Sequence, residues 1–370
     1  VAPCRPRWSI AGLLCLAVFP LATFCGGDAP PLATPTPSAS ATASASPSPT
    51  LPAQVTLVAA GDVMLGRSIG DGVRRFGPLY PFEHVGDVLR GADVAFVNLE
   101  APLSDGGQPA NKDFVFRGSP TAARGLADAG IDVVSLANNH ALDYGLEGLA
   151  DTRAALTAAG IAYAGAGDNE TAARSPLILE RNGLRLAFLA YVNTPRDSVS
   201  GFDVSATAAT ADRAGVAWAT AEAVAADVAA VARRADVVIV SLHSGPEYQE
   251  APGDLQVALA HAAIDAGARL VLGHHPHVLQ GLERYRGGLI IYSLGNFAFD
   301  FDEVDYGQPG VPSALSAILQ VTLTREGVVS CRLLPVAVDP ADGRPHPAVG
   351  QEADAVVSRM HRLSDGACGL

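Results

Sequence analysis

The chain has 370 residues, 49% hydrophobic and 17% charged, with a formal net charge of −13. That length carries one large α/β domain or two smaller ones, and the composition excludes a disordered chain. The acidic balance, with no basic stripe, argues against a nucleic-acid binder but leaves an anionic substrate open, because bound cations can supply positive charge locally.

Residues 1–25 read as an export signal. Arg5 and Arg7 precede an apolar run over 10–24 that has signal length and is short for a membrane span. Cys25, followed by Gly26-Gly27, resembles the acylation point of a bacterial lipoprotein, although Phe24 stands where a small residue is usual. A plain secretory signal or an uncleaved N-terminal anchor stays open. Residues 26–54 are almost wholly Ala, Pro, Ser, Thr and Gly, which cannot offset its own ordering entropy and forms a semi-extended tether. Signal, tether and globular part predict an extracytoplasmic protein, anchored to the membrane or secreted.

The globular domain is assigned to 55–345 and a C-terminal tail to 346–370. A buried strand over 54–60 runs into Gly61-Asp62-Val63-Met64-Leu65-Gly66-Arg67, so a carboxylate lies just past a strand end, where α/β sheets place ligands. Residues 84–92 suit a short helix, and a strand over 93–97 ends in Asn98-Leu99-Glu100. A helix over 120–130, opened by Ser119-Pro120 and closed by Gly130, precedes a strand over 131–136. That strand leads into Asn138-Asn139-His140, then Asp143 and Gly145. A helix over 146–159 ends at Gly160, with a short strand over 161–164 after it. Residues 177–180 and 184–191 form a hairpin around Asn182-Gly183. Residues 195–215 read as a surface excursion.

An Ala-rich helix over 220–234 precedes a β-branched strand over 237–242, which ends in His243-Ser244-Gly245-Pro246-Glu247. After a helix over 255–267, a strand over 270–272 passes through Gly273 into His274, His275 and His277. A strand over 289–292 ends in Ser293-Leu294-Gly295-Asn296-Phe297, and 313–337 make a last strand pair around Glu326-Gly327.

Five of these strands end in residues able to bind metal: Asp62, Glu100, Asn139-His140, His243 and His275-x-His277. In a parallel or mixed sheet with helical crossovers, strand C-termini converge on one edge, so residues far apart in sequence meet in one cleft. One Asp, one Glu, one Asn and three His form a borderline donor set, suiting Mn²⁺, Zn²⁺ or Fe better than Ca²⁺. Two ions bridged by a carboxylate would activate water and clamp a phosphoryl group. His84, His261, His346 and His361 read as surface or packing residues. The five cysteines, Cys4, Cys15, Cys25, Cys331 and Cys368, contain no C-x-x-C pair, and Cys331 and Cys368 are expected to stay unpaired.

The motifs Gly-Asp-x-Met-x-x-Arg (61–67), Asn-Leu-Glu (98–100), Asn-Asn-His-x-x-Asp-x-Gly (138–145), His-x-Gly-x-Glu (243–247), His-Pro-His-Val-x-Gln (275–280) and Ser-Leu-Gly-Asn-Phe (293–297) resemble the bacterial capsule-synthesis family. This is the CapA/PgsA type of poly-γ-glutamate protein, a branch of the calcineurin-like metallophosphoesterases, and the resemblance spans about 55–337. It implies an α/β fold, a two-sheet sandwich flanked by helices (αββα), with the site at the strand ends. It also implies one or two divalent ions. Asp62 would be the first metal-binding Asp and Glu100 the bridging carboxylate. Asn139, His243 and His275 would complete one ion site, and His277 would join Asp62 and Glu100 at the other. His140 takes the place of the leaving-group acid, with Asp143 holding its imidazole. Arg67, Asn98, Glu247 and Asn296 are the expected substrate-binding residues. His274 is read as a neighbour of the site and not a ligand. One departure stands out: the wider pattern has a histidine two residues after the first Asp, and here that position is Met64, a poor ligand for these ions.

The expected function is thus capsule biosynthesis with a metal-dependent, phosphoesterase-like hydrolase site. Its partners would be an anionic polymer or phosphate-containing substrate and membrane capsule-synthase subunits, not nucleic acid. Two alternatives remain: a non-catalytic scaffold binding polymer or synthase, and a cell-envelope phosphatase unrelated to capsule.

Overall fold

The apolar runs of the sequence become the strands of two mixed sheets. A computed structural model describes residues 53–194, 196, 201–301, 313–364, 366, 368 and 369. The export signal expected over 1–25, and the tether up to residue 52, lie outside the described residues. In the first sheet the strand order is β16 (Pro345–Pro347), β15 (Gly327–Val338), β14 (Leu315–Thr324), β1 (Val55–Val63), β2 (Val94–Leu99), β3 (Val133–Ser135) and β4 (Ala162–Ala164), and β13 (Asn296–Ala298) also pairs with β1. Strands β1 to β4 and β13 are parallel, while β14 to β16 extend the sheet antiparallel. The second sheet has the order β11 (Leu282–Tyr285), β12 (Gly288–Ile291), β10 (Leu270–His274), β9 (Val237–Ser244), β7 (Leu184–Asn193) and β6 (Leu177–Arg181), parallel through its four central strands. A small ribbon pairs β5 (Ala166–Gly167) with β8 (Gly215–Val216), at the end of the 195–215 stretch read as a surface excursion.

Burial on both faces explains the near-continuous apolar runs. In β9, Val237 and Ile239 point into the core shared with the first sheet. Val238, Val240 and Leu242 point the other way, into a second core with α6 (Ala221–Val231) and α7 (Asp254–Asp265). Between the sheets, the Phe96 ring on β2 stacks on Phe188 of β7, with centroids 6.0 Å apart. The outer side of the first sheet is covered by α1 (Arg67–Phe76), α2 (Gly86–Arg90), α3 (Ala122–Asp128) and α4 (Gly145–Ala159), which send Ile69, Leu89, Leu126 and Leu149 into the larger core. The helix–sheet–sheet–helix sandwich expected from the resemblance is the observed architecture. A one-turn helix, α5 (Glu170–Ala173), caps itself through Asn169 and leads into β6.

The hairpin turn at Asn182-Gly183 has positive φ at both positions (49° and 77°), the geometry that favours this dipeptide. Other parts were not legible in the sequence. Helix α1 carries Gly70 and Gly72, poor helix formers that hide it. Residues 346–370, expected as a tail, hold the end of β16 and α8 (Gln351–Leu363), whose Val356 and Met360 are fully buried. The expectation of unpaired cysteines is corrected: Cys331 and Cys368 form a disulfide. Gly369 pairs with β15, its N–H donating to the Cys331 carbonyl at 3.1 Å, and this lays Cys368 beside its partner.

Candidate metal centre

Parallel strands from both sheets deliver the site residues. Gly61 permits a close approach: a Cβ there would lie 1.9 Å from the Gly295 carbonyl oxygen, and the next N–H, of Asp62, donates to that oxygen at 3.0 Å. Asp62 pairs in register with Asn98, and Glu100 follows two residues on. From the second sheet, His243 on β9 lies opposite His274 on β10. The chain then turns through His275 (φ 95°) and His277 (φ 56°), left-handed conformations that non-glycine residues rarely adopt. The His275 N–H donates to Asp62 Oδ2 at 3.2 Å, tying this strained turn to the first sheet.

The structure brings Asp62, Glu100, Asn139, His243, His275 and His277 together. Two groups of three have ligand atoms within 4.8 Å of one another: Asp62, Glu100 and His243, and Glu100, His275 and His277. All five side chains are buried, and Glu100 belongs to both groups. Asn139 Oδ1 is 2.8 Å from His243 Nε2, which adds it to the first group. His275 lies between the two groups: its ring centroid is 4.8 Å from that of His243 and 5.8 Å from that of His277, so it can also complete the set with Asn139 and His243 that the resemblance implied. Asp62 still reaches towards both, with Oδ2 3.7 Å from His277 Nδ1.

The environment fits a cation. Glu100 Oε1 and His275 Nδ1 are buried without a hydrogen-bond partner, an expensive arrangement unless something else satisfies them. Burial, followed by the charges of Asp62 and Glu247, pushes the Glu100 carboxyl well above its usual pKa. Burial also opposes ionisation of Asp62, but contacts with His274 and His277 and the Asn98 amide hold its pKa below the ordinary value. Burial drives His243 well below the usual histidine range and His275 down to about 3, and crowding by other imidazoles adds to both. Neutral imidazoles beside carboxylates form a donor set of the right softness for a divalent ion.

Asn98, expected to bind substrate, is fully buried beneath the carboxylates. Its Nδ2 lies 2.8 Å from Asp62 Oδ1, 3.5 Å from Glu100 Oε2 and 3.2 Å from His243 Nδ1, so it orients candidate ligands. Asn296 is likewise fully buried: its Oδ1 is 2.9 Å from His277 Nδ1. An amide oxygen only accepts, so His277 carries its proton on Nδ1 and its lone pair on Nε2. Of the other residues expected to bind substrate, Arg67 is exposed, with its guanidinium 4.7 Å above the Phe116 ring, and Glu247 is half-exposed, 3.9 Å from His275 Nε2. His274 is fully buried behind Asp62. Its Nδ1 is 3.2 Å from Asp62 Oδ1 but poorly aimed for a hydrogen bond. Met64 is fully buried among Ala101, Phe116 and Phe299, and its sulfur accepts the Gly66 N–H at 3.2 Å.

His140 stacks on Phe116 with centroids 4.0 Å apart, and its Nδ1 faces Asp143 Oδ2 at 2.7 Å. Burial lowers its pKa to about 4, against the pull of Asp143, so it is neutral at pH 7. Two residues that the sequence reading passed over complete this corner. Asn138 donates to the Leu99 carbonyl at 2.8 Å and accepts the His140 N–H at 3.1 Å. Lys112, from the loop between β2 and α3, places its ammonium 2.6 Å from Asp143 Oδ1. The signal for it was present: Lys112 is the only lysine among 25 basic residues.

Comparison with known proteins agrees with this geometry. The family model for "Bacterial capsule synthesis protein PGA_cap" matches residues 56–301. The capsule biosynthesis protein CapA of Bacillus anthracis is 32% identical over 302 residues, covering 80% of this chain and 69% of that one. The PGA biosynthesis protein CapA of Bacillus subtilis is 32% identical over 288 residues, covering 77% and 72%. A "probable polyglutamine synthesis accessory protein" of Mycobacterium tuberculosis is 37% identical over 259 residues, covering 66% of each. With the family model covering most of the globular part, and every motif that carried the resemblance inside the matched span or within the sandwich, the chain belongs to the bacterial capsule synthesis protein family.

Proposed function

We propose that the chain is a metal-dependent hydrolase acting in assembly or handling of an anionic capsule polymer of the poly-γ-glutamate class, exported and held at the membrane by its N-terminal segment. The observation that carries this reading is Glu100, one buried carboxylate shared by two ligand groups, with an oxygen no hydrogen bond satisfies. The substrate class rests on the relatives, whose names refer to capsule biosynthesis, PGA biosynthesis and polyglutamine synthesis.

Asp62, Glu100, Asn139 and His243 would hold one divalent ion, and Glu100, His275 and His277 a second. Such an ion, with Mn²⁺, Zn²⁺ and Fe all suited to these donors, would supply Lewis acidity at a phosphoryl or carbonyl oxygen and lower the pKa of water. The protein's own groups do the rest. Asp143 fixes the His140 ring so that Nε2 is the nitrogen that exchanges a proton with the leaving-group oxygen. Arg67, braced on Phe116, pairs with a carboxylate or phosphate of the substrate.

A second reading is favoured by Met64. With a thioether turned into an apolar cluster where a ligand would help, the chain would hold a single ion and serve as a scaffold binding polymer or synthase. Metal analysis of the purified full chain, with turnover of bis(p-nitrophenyl) phosphate and of a γ-glutamyl oligomer, separates the two. Stoichiometric metal and turnover lost in Asn139→Ala and His140→Ala supports the hydrolase. Bound metal without turnover of either substrate supports the scaffold. Phosphatase activity in a strain that makes no polyglutamate would point to an envelope phosphatase outside capsule synthesis.

A further inference from the structure

The chain meets its need for positive charge with arginine 24 times and with lysine once. That single lysine is no surface residue: the Lys112 side chain is 4% exposed, with the Phe202 ring 5.6 Å from its nitrogen. Three groups of the candidate centre converge on that one nitrogen. Asp143 Oδ1 is at 2.6 Å, the Asn139 carbonyl oxygen at 2.9 Å and His140 Nδ1 at 3.2 Å. The Asp143 contact is short but off the line of a hydrogen bond, so charge holds it. The other Asp143 oxygen faces His140 Nδ1 and accepts the Phe116 N–H at 2.7 Å, and Phe116 is the ring on which His140 stacks. Lys112 therefore sits at the back of a cage whose other walls are Asp143, Phe116 and the 138–140 turn.

We propose that Lys112 is a positioning residue, required as a lysine, that fixes the His140 imidazole by drawing the Asp143 carboxylate and the Asn139 carbonyl to one point. A guanidinium is a poor replacement. Its donors are spread over a planar fork, whereas the Asp143 carboxylate and the Asn139 carbonyl converge on a single atom and suit a compact ammonium; His140 Nδ1, whose own N–H faces Asp143, is a neighbour of that ammonium and not an acceptor. Without the cation, Asp143 would be a buried carboxylate lacking its charge partner and would move towards solvent, taking its hold on the imidazole with it. The placement of the ring stands on geometry alone. Its consequence for turnover rests on the hydrolase reading above.

The ring's place over Phe116 gives a readout independent of activity. In histidine-labelled full-length protein, the His140 ring protons, assigned by their loss in His140→Ala, should be shifted upfield by the Phe116 ring current. In Lys112→Met that shift should collapse while the backbone amide spectrum stays native, and Lys112→Arg should not restore it. An unchanged shift in Lys112→Met would overturn the proposal, and full restoration by arginine would overturn the requirement for lysine. Should the methionine variant fail to fold, Lys112→Gln, which loses the charge but keeps a donor, carries the same test. With p-nitrophenyl phosphate and Mn²⁺, Lys112→Met should lower kcat at least ~10-fold with little change in KM, a fraction of what a general acid–base contributes. In a His140→Ala background it should lower kcat no further, and an equal loss there would contradict action through His140. If the wild type turns over no phosphoester, the hydrolase reading falls, and the ring shift still decides the role of Lys112.

Discussion

The two sheets bring opposite chemistry to the same cleft. The first contributes carboxylates and amides, Asp62, Asn98, Glu100 and Asn139, while the second contributes imidazoles, His243, His275 and His277. Neither half is comfortable alone. Burial makes Glu100 resist ionisation and makes His243 and His275 resist protonation, while Asp62 stays ionised only through its contacts with His274, His277 and Asn98. The site exists only because the sheets pack face to face, and a cation between them would relieve both strains. The lesson is that the sandwich is itself the device that builds the donor set.

Removing the residue common to both halves of that set should have the largest effect. Glu100→Gln keeps the size and loses the charge, and metal affinity should fall beyond the 10- to 100-fold typical of losing an outer partner, on the order of 1000-fold or more. Isothermal titration of the metal-free protein with Mn²⁺ measures this. A variant that binds as the wild type does would break the idea of a shared carboxylate.

The buried imidazoles and Glu100 should also respond to pH in opposite senses. In the metal-free protein His140 (pKa about 4) and His275 (about 3) are depressed, so the unfolded chain binds protons first as pH falls below the ordinary histidine value. Their contribution to stability is thus lost between about pH 6.5 and 4, by roughly 3 kcal/mol for His140 alone at ~1.4 kcal/mol per unit. Glu100, raised in the fold, behaves the other way: its contribution is complete below its unfolded pKa and is lost as pH rises. Stability to urea should rise towards about pH 6.5 less steeply than the depressed histidines alone would give, because Glu100 opposes them from its unfolded pKa upward, and saturating Mn²⁺ should remove that opposition. A flat profile would sharpen the case against burial as the cause.

A smaller effect is expected from the support of the imidazole half. Asn296→Ala removes the acceptor at His277 Nδ1, 2.9 Å away, and should weaken metal binding about 10-fold without abolishing it. An effect as large as that of Glu100→Gln would mean that Asn296 is itself a ligand.

Much of this centre was legible before any coordinates. Asp62, Glu100, Asn139, His243, His275 and His277 each follow a buried run of strand length, and parallel strands aim such positions at one edge. The αββα layering was implied by the family resemblance, and the runs apolar on both faces agree with it. The rest depended on register and packing. Asn98 and Asn296 lie in the right motifs, yet only the packed sheets reveal that they face the ligands and not the substrate. The left-handed turn that sets His275 beside both His243 and His277 is not encoded in spacing. The Cys331–Cys368 bond needed residue 369 to pair with β15, and α1 was masked by its glycines. Lys112 sits in an irregular loop with no periodicity, so only its rarity marked it.

The most direct test is anomalous scattering from crystals of the full chain grown metal-free and soaked in Mn²⁺. The account predicts a peak in contact with Glu100, flanked by His243 and Asp62 on one side or by His275 and His277 on the other. Crystals that take up Mn²⁺ elsewhere, or show no peak at Glu100 at saturating Mn²⁺, would contradict it.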